Sequence, residues 1–513
     1  TSSSNATGGG TNNITTSNAV LVSGGGAAIA GTVGTTPANG GGVAANPTVL
    51  SAGGVFNGTA GLRENFTGNA AALVGTTVNG NAGDSDKITF TGGGSIVIGG
   101  GNTITNINTL AIDNSSTDIY FNVATSGITS IIGGTGNDRV FLANSGNSML
   151  NANVNLGTGN NTLTMEAKAY TGIYTAGAGT SDILSLVNGS NIALANVTGF
   201  ESLVVSSNAS ITLSAAQYAA FSSITAIGTN NFTFSTAGTV VGNASVENYV
   251  LYNGTNTFTS AAGLISVVGG TGADTITVSD QVIIATVAAN GIDGGNGVDT
   301  LNVGAVTAAL DISAKVTNVE FVNVTGGTNA AWSITNENGA GVTLNFTKSA
   351  STAINNIILG SGGQTLNVLG TGTGAVTITG GSGADTINLS STTTGSDTIM
   401  AGSVIANIDT VANFKVAGSD IFKTGINALT LNALNIAAAD IATLPAAIVT
   451  AANAAGAAFA TNDQAYIITV ATGTAAGTYA FQNTGSTTNA VDATDFIVKL
   501  VGAGSIVAGD FVA

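Results

Sequence analysis

A Gly-rich turn that ends in Asp and leads into an alternating apolar strand recurs along the middle of this chain. The turn reads GGTGNDRVFL (Gly133 to Leu142), GGTGADTITV (Gly269 to Val278), GGNGVDTLNV (Gly294 to Val303) and GGSGADTINL (Gly380 to Leu389). Looser copies are LGTGNNTLTM (Leu156 to Met165), AGAGTSDILSL (Ala176 to Leu186) and GSGGQTLNVL (Gly360 to Leu369). Recurrence constrains the fold because one such unit cannot bury its own apolar face and must stack on its neighbours. Asp274 to Asp299 is 25 residues, Gln364 to Asp385 is 21 and Asp138 to Asn161 is 23. Each interval is close to one coil of a parallel solenoid.

A second element lies between the turns: TNINTLAIDNS (Thr105 to Ser115), ANVTGFESLVV (Ala195 to Val205), ASVENYVLYNG (Ala244 to Gly254) and TNVEFVNVTGG (Thr317 to Gly327). Here an apolar strand follows an acidic or Asn residue and alternates as a half-buried strand should. The composition agrees. Gly contributes 74 of the 513 residues and Pro only 3, which excludes collagen and Pro-rich coil. With 43% hydrophobic and 7% charged residues, the chain has enough apolar surface to fold. Its β-branched residues suit pleated strands and its Gly and Asn suit tight turns. The expected fold is all-β: a parallel β-helix or β-roll-like solenoid with interspersed calcium-binding Gly-Asp turns, plus a C-terminal β-rich domain containing a short helical stretch.

Three segments are expected. Residues 1–85 form a Gly/Asn/Thr-rich β segment, flexible over the first dozen residues; 86–402 form the solenoid; 403–513 form the C-terminal domain. Ser214 to Phe221 reads as a short amphipathic helix with Ser214 as N-cap. The Ala-rich stretch from about Ala437 to Ala460 reads as helix, with Pro445 in its first turn or splitting it. AYIITVATG, GTYAFQNTG and DFIVKLVGAG return to strands.

The chemistry sits in the GGxGxD turn. Its glycines permit positive φ and leave carbonyl oxygens unobstructed, and the Asp adds a carboxylate. Stacked turns then enclose a cation between layers of hard oxygen ligands, which suit calcium. Val140, Ile276, Leu301 and Ile387 are the expected core plugs. The expected metal-site residues are Gly133, Gly134, Gly136 and Asp138; Gly269, Gly270, Gly272 and Asp274; Gly294, Gly295, Gly297 and Asp299; and Gly380, Gly381, Gly383 and Asp385. Asp293 and Asp397 are expected to complete neighbouring sites, whereas Asp84, Asp86 and Asp182 read as solvated turn residues. The competing reading is a set of Gly-rich hairpin turns, each with an Asx-turn Asp and no metal.

Nine basic against 26 acidic residues give a formal charge of −17, which leaves no basic footprint for nucleic acid and makes divalent cations the natural counter-charge. There is no Cys, hence no disulfide or thiolate site, and no His, hence no imidazole base or ligand. No uninterrupted apolar run is long enough for a membrane span. The chain begins at Thr1 without a signal peptide, so an upstream segment was removed or export relies on the other end. Parallel β-helices that cleave polysaccharides need clustered cations and a base, and the nine basic residues are scattered; no catalysis is expected. Trp332 and the tyrosines near Tyr249 are candidates for a ligand face, but core or surface filler is the commoner role of isolated aromatics. The sequons at Asn5, Asn57 and Asn65 are chance matches in an Asn- and Thr-rich chain and are assigned no glycan.

The GGxGxD turns resemble those of the repeats-in-toxin family, and the whole chain is similar to the surface-layer proteins of Gram-negative bacteria that share them. Those proteins carry strands with an Ile-Glu-Thr-like step, as at Phe200-Glu201-Ser202 and Val319-Glu320-Phe321. The end of the chain resembles the C-terminal domain of type I secretion substrates: a DTI turn, a Gly-Asp-x-Phe-like step (Gly418 to Phe422), an Asp-Phe-Ile-x-x-Leu-x-Gly strand (Asp495 to Gly502) and an acidic-then-apolar tail (Asp510 to Ala513). Long tandem nonapeptide arrays are lacking, so isolated ions between coils are expected in place of a calcium-filled roll.

The resemblance implies a secreted structural protein at the bacterial surface, exported by type I secretion, that folds on calcium and assembles with copies of itself into a lattice. It also implies lipopolysaccharide as an anchor, through a region not recognisable here. The alternative is a calcium-dependent adhesin or biofilm fibre, sharing fold, ion and export route.

Overall fold

A computed structural model describes residues 42–43 and 47–513 apart from short internal stretches, the longest being 327–332, 349–354, 401–406, 457–463 and 485–489. The first 41 residues, with the sequon at Asn5, and Trp332 lie outside the described residues. The chain is an all-β solenoid of mostly parallel strands with only short helices. It divides into two compact units, residues 1–213 with 220–227, and 214–219 with 228–513.

In the first unit, strands stack by one coil at a time in strict register. One column of inward residues runs Ile96, Ile119, Val140, Leu163, Leu184, Leu203 and Ile224. A second sheet stacks Phe66, Ile88, Leu110, Ile131, Val154 and Tyr174. Parallel pairing passes through residue 85 without a break, since Asn65–Gly68 pairs with Lys87–Phe90. Alternation sets this geometry: in strands such as Thr162–Met165 and Ile183–Leu186 every second side chain is buried.

The second unit repeats the plan. Phe258, Ile276, Leu301, Val322, Leu344, Leu366, Ile387 and Val411 form one inward column. The four expected plugs, Val140, Ile276, Leu301 and Ile387, are all buried. Burying each contributes on the order of 2 kcal/mol. On the outer side of the same strands, Asn302, Asn323, Asn345, Asn367 and Asn388 form an amide ladder, each Nδ2 donating to the previous Oδ1 at 2.8 Å. Tyr249 is core, packed against Phe234 and Phe258.

The helix expected at Ser214 forms over Ala215–Ala220. Its start is a reciprocal capping box: the Gln217 N–H donates to Ser214 Oγ (3.1 Å) and the Ser214 N–H donates to Gln217 Oε1 (2.7 Å). Ser214→Ala is expected to cost about 1 kcal/mol, read as a shifted denaturation midpoint of the full chain.

The C-terminal strands Gln464–Thr472, Gly477–Gln482 and Phe496–Val501 are joined antiparallel. Phe496–Val501 also continues the parallel stack on Asp409–Ala412. The Ala-rich helix spans Leu444–Ala454, with Pro445 in its first turn where no N–H is needed. It is shorter than the sequence suggests, because Ala437 and Ala438 belong to the strand Thr430–Ala438, whose partner is Gln464–Thr472. Leu444, Ile448 and Ala452 of the helix pack with Leu434, Tyr466, Ile468 and Ile497. The terminal Phe511–Val512 adds a strand beside Ile421–Lys423, and Lys415 Nζ meets Asp510 Oδ1 at 2.7 Å. No helix among the described residues is long and apolar enough to cross a membrane.

Candidate metal centre

The residue immediately before each strand occupies one recurring corner of the coil. Its backbone N–H lies past the end of the strand ladder and needs an acceptor, which the side chain of the equivalent residue one coil on supplies. In the first unit the Thr117 N–H donates to Asp138 Oδ1 (2.9 Å), Asp138 N–H to Asn161 Oδ1 (2.9 Å), Asn161 N–H to Asp182 Oδ1 (2.6 Å) and Asp182 N–H to Glu201 Oε2 (2.8 Å). In the second unit Asn256 donates to Asp274 (2.7 Å), Asp274 to Asp299 (2.7 Å), and Asp299 to Glu320 (2.7 Å). Further along, Gln364 donates to Asp385 and Asp385 to Asp409, both at 2.8 Å. The carbonyls of the same residues carry on the ordinary parallel ladder, as in Thr162 N–H to Asp138 O and Thr300 N–H to Asp274 O, both 2.8 Å.

Asp138, Asp274, Asp299 and Asp385 are therefore inward, buried members of a carboxylate and amide ladder. Asp86 and Asp182 belong to it too. They are fully buried, not solvated: Asp86 accepts from the Glu64 N–H at 2.8 Å. Asp84 alone of that trio is a turn residue, accepting from the Gly61 N–H at an exposed site. Glu201, Glu247 and Glu320, the acidic residues of the second sequence element, take the same position as the turn aspartates. Asp293 stands half-buried beside the ladder, where Oδ1 accepts from Asn318 Nδ2 (2.8 Å) and the Gly295 N–H (3.0 Å). Asp397 is at a different corner, held by the Lys348 ammonium.

Burial dominates the ionisation of this row. It pushes Asp138 up to about 6 against the opposing Thr117 amide, and Asp385 up to about 6 against the Gln364 amide. Asp182 and Asp299 are raised as well, chiefly by burial, with Glu201 and with Asp274, Glu320 and Asp293 adding repulsion. Asp274 and Asp385 satisfy their second oxygens on the Gly270 and Gly381 N–H groups, at 2.9 and 3.1 Å. Oδ2 of Asp138, Asp182 and Asp299 is buried and makes no hydrogen bond.

The turn glycines serve close approach more than positive φ. Of the glycines in the four strong turns, only Gly295 and Gly297 have positive φ. A Cβ on Gly134 would overlap the Asp113 carbonyl, one on Gly270 the Tyr252 carbonyl and one on Gly381 the Gly360 carbonyl. Two glycines mark a shared cradle: a Cβ on Gly179 would collide with both Gly159 O and Asp182 Oδ2, and one on Gly294 with both Asn318 O and Asp299 Oδ2. Gly269 and Gly80 repeat it, with Gly294 O and Asp274 Oδ2, and with Asn106 O and Asp86 Oδ2. At each of these glycines a carboxylate oxygen and a carbonyl of an adjacent coil pack close against the Cα and leave no room for a side chain. This donor set suits a hard cation, with one carboxylate and backbone oxygens per coil. No group of three or more acidic side chains gathers at one point among the described residues.

Fold and corner together define a parallel β-solenoid with a buried carboxylate ladder. The chain matches no family model, and neither a curated protein nor a solved structure proved similar to it.

Proposed function

We propose that this chain is a structural protein of the bacterial surface that folds on calcium and assembles with its own copies into a surface lattice. The observation that carries the reading is the row of buried carboxylates on successive coils, in which Oδ2 of Asp182 and of Asp299 makes no hydrogen bond. Buried like charges a coil apart repel one another, and a bound divalent ion supplies the missing positive charge. Asp182 with the Gly159 carbonyl, and Asp299 with the Asn318 carbonyl, would hold it. Asp293 and Glu320 add negative potential around Asp299. Asp397 is left out, since Lys348 already neutralises it.

A net charge of −17 opposes compaction of the ion-free chain, so secretion from a calcium-poor cytoplasm into a calcium-rich medium would couple export to folding. An ion at one hundred times its dissociation constant stabilises each site by about 2.7 kcal/mol.

The test combines a calcium titration, followed by circular dichroism and calorimetry, with Asp299→Asn. The amide oxygen still accepts the Asp274 N–H, so the ion-free fold is expected to survive while the calcium response falls. An undiminished response removes Asp299 from the site, and equal β-content in chelator and in millimolar calcium ends the folding role. Electron microscopy of the calcium-loaded protein then separates a regular two-dimensional sheet, expected for the lattice, from single filaments or monomers, which favour an adhesin or biofilm fibre.

A further inference from the structure

Lys348 is the only buried basic residue among the described residues. Its side chain is 1% exposed, and Nζ lies 2.7 Å and 2.8 Å from Oδ1 and Oδ2 of Asp397, itself 3% exposed. The two residues are 49 apart, about two coils. Lys348 follows the strand Thr343–Thr347, Asp397 precedes Thr398–Met400, and the coil carrying Thr365–Leu369 and Val376–Thr379 lies between them. The passage is lined by glycine: a Cβ on Gly395 would stand 3.2 Å from Nζ, and one on Gly370 would press on the Lys348 backbone.

We propose that Lys348 and Asp397 are a site of spontaneous covalent cross-linking, in which Nζ and Cγ join as an isopeptide bond. Near-equal distances to the two oxygens bring Nζ to roughly 3 Å from Cγ, the separation of a near-attack pair. In the reactive form one proton has moved across this contact from nitrogen to a carboxylate oxygen, which leaves an amine beside a carboxylic acid. Burial does raise the Asp397 carboxyl, with Asp420 adding repulsion and Lys348 opposing. The amine lone pair then attacks Cγ. The Val376 N–H donates to Oδ1 at 3.1 Å, so the donor for the developing oxyanion is already in place and Oδ1 becomes the amide oxygen. Oδ2 leaves as water, carrying the acid proton and a second proton from nitrogen. Ammonium and carboxylate become one amide and one water, with no oxidant or activating group required. Asp420 is a positioning residue: its Oδ1 accepts the Asp397 N–H at 2.9 Å and fixes the backbone that aims Cγ.

The bond would bolt together coils that share no backbone hydrogen bond, and it does not depend on the calcium reading. Intact mass spectrometry of the purified, folded full chain is expected to give the sequence mass less one water. Tandem spectra should contain a branched peptide joining Lys348 to Asp397. Lys348→Arg retains the positive charge but should restore the full mass, while Asp397→Asn should condense with loss of ammonia in place of water. A cyclic imide elsewhere would also remove water, but it would persist in Lys348→Arg and yield no branched peptide. Asp420→Asn should slow the mass loss without abolishing it. An unshifted mass after prolonged incubation of the folded chain, or a shift that survives Lys348→Arg, overturns the proposal.

Discussion

Replacing Gly177 by alanine is expected to destabilise the first unit by roughly 2–6 kcal/mol, the sum of a backbone penalty of about 1–3 and an overpacking penalty of about 1–3. Gly177 has φ +103°, which side chains with a Cβ rarely adopt. A Cβ there would also overlap the carbonyl oxygen of Gly157, one coil away. The obstructing atom is backbone, held by the Ala178 N–H at 3.3 Å, so it cannot rotate aside as a side chain would. Gly61→Ala separates the two causes, because Gly61 has φ +80° but nothing within 4 Å of the added carbon. That control should lose only the backbone term. Denaturant unfolding of both variants is the measurement, and equal losses would mean that coil contact is not what demands glycine at the corner.

The period was the legible part of the fold. The intervals of 25, 21 and 23 residues are spanned by single ladder hydrogen bonds, Asp274 to Asp299, Gln364 to Asp385 and Asp138 to Asn161. The membership of the ladder was less legible, because a motif of consecutive glycines describes one local turn. The position that matters is the one before a strand, and any side chain with a well-placed oxygen can fill it. Hence Asp182 and Asp86 read from the sequence as solvated turn residues, and the Glu of the second element reads as a separate signature. Their common role emerges when Ile183 pairs with Ser202 and Thr300 with Phe321, which brings Asp182 to Glu201 and Asp299 to Glu320. Lys348 and Asp397 meet across 49 residues, outside the one-coil period, so nothing in local pattern or spacing announces the pair. Ala437 and Ala438 have helical propensity but are claimed by pairing with the Gln464–Thr472 strand, an instance of tertiary context overriding a weak local preference.

With chelator present, the melting temperature is expected to fall as pH rises from 5 to 7.5, the reverse of ordinary acid denaturation. Asp138 and Asp385 carry folded-state values of about 6 against 3.8 for the free side chain. A carboxyl raised in this way favours the folded state while it is protonated. Its contribution is complete below the unfolded value and is lost as pH climbs through the folded one. Asp182 and Asp299 are shifted in the same direction and add to the slope. Asp113, lowered by the Gly92 and Ser115 amides despite some burial, and Asp440, lowered by Thr443, are ionised in both states across this range and add no slope. Calcium should invert the curve, because the ion needs the deprotonated carboxylate that the ion-free fold penalises. At pH 7.5 excess calcium is then expected to raise the melting temperature to at least its value at pH 5. Calorimetry at the two pH values, with and without the ion, is sufficient. If chelated protein melts lower at pH 5 than at 7.5, the buried row is not protonated in the fold. If calcium raises both equally, the ion binds elsewhere than these carboxylates, since only a competitor for the proton can change the sign of the slope.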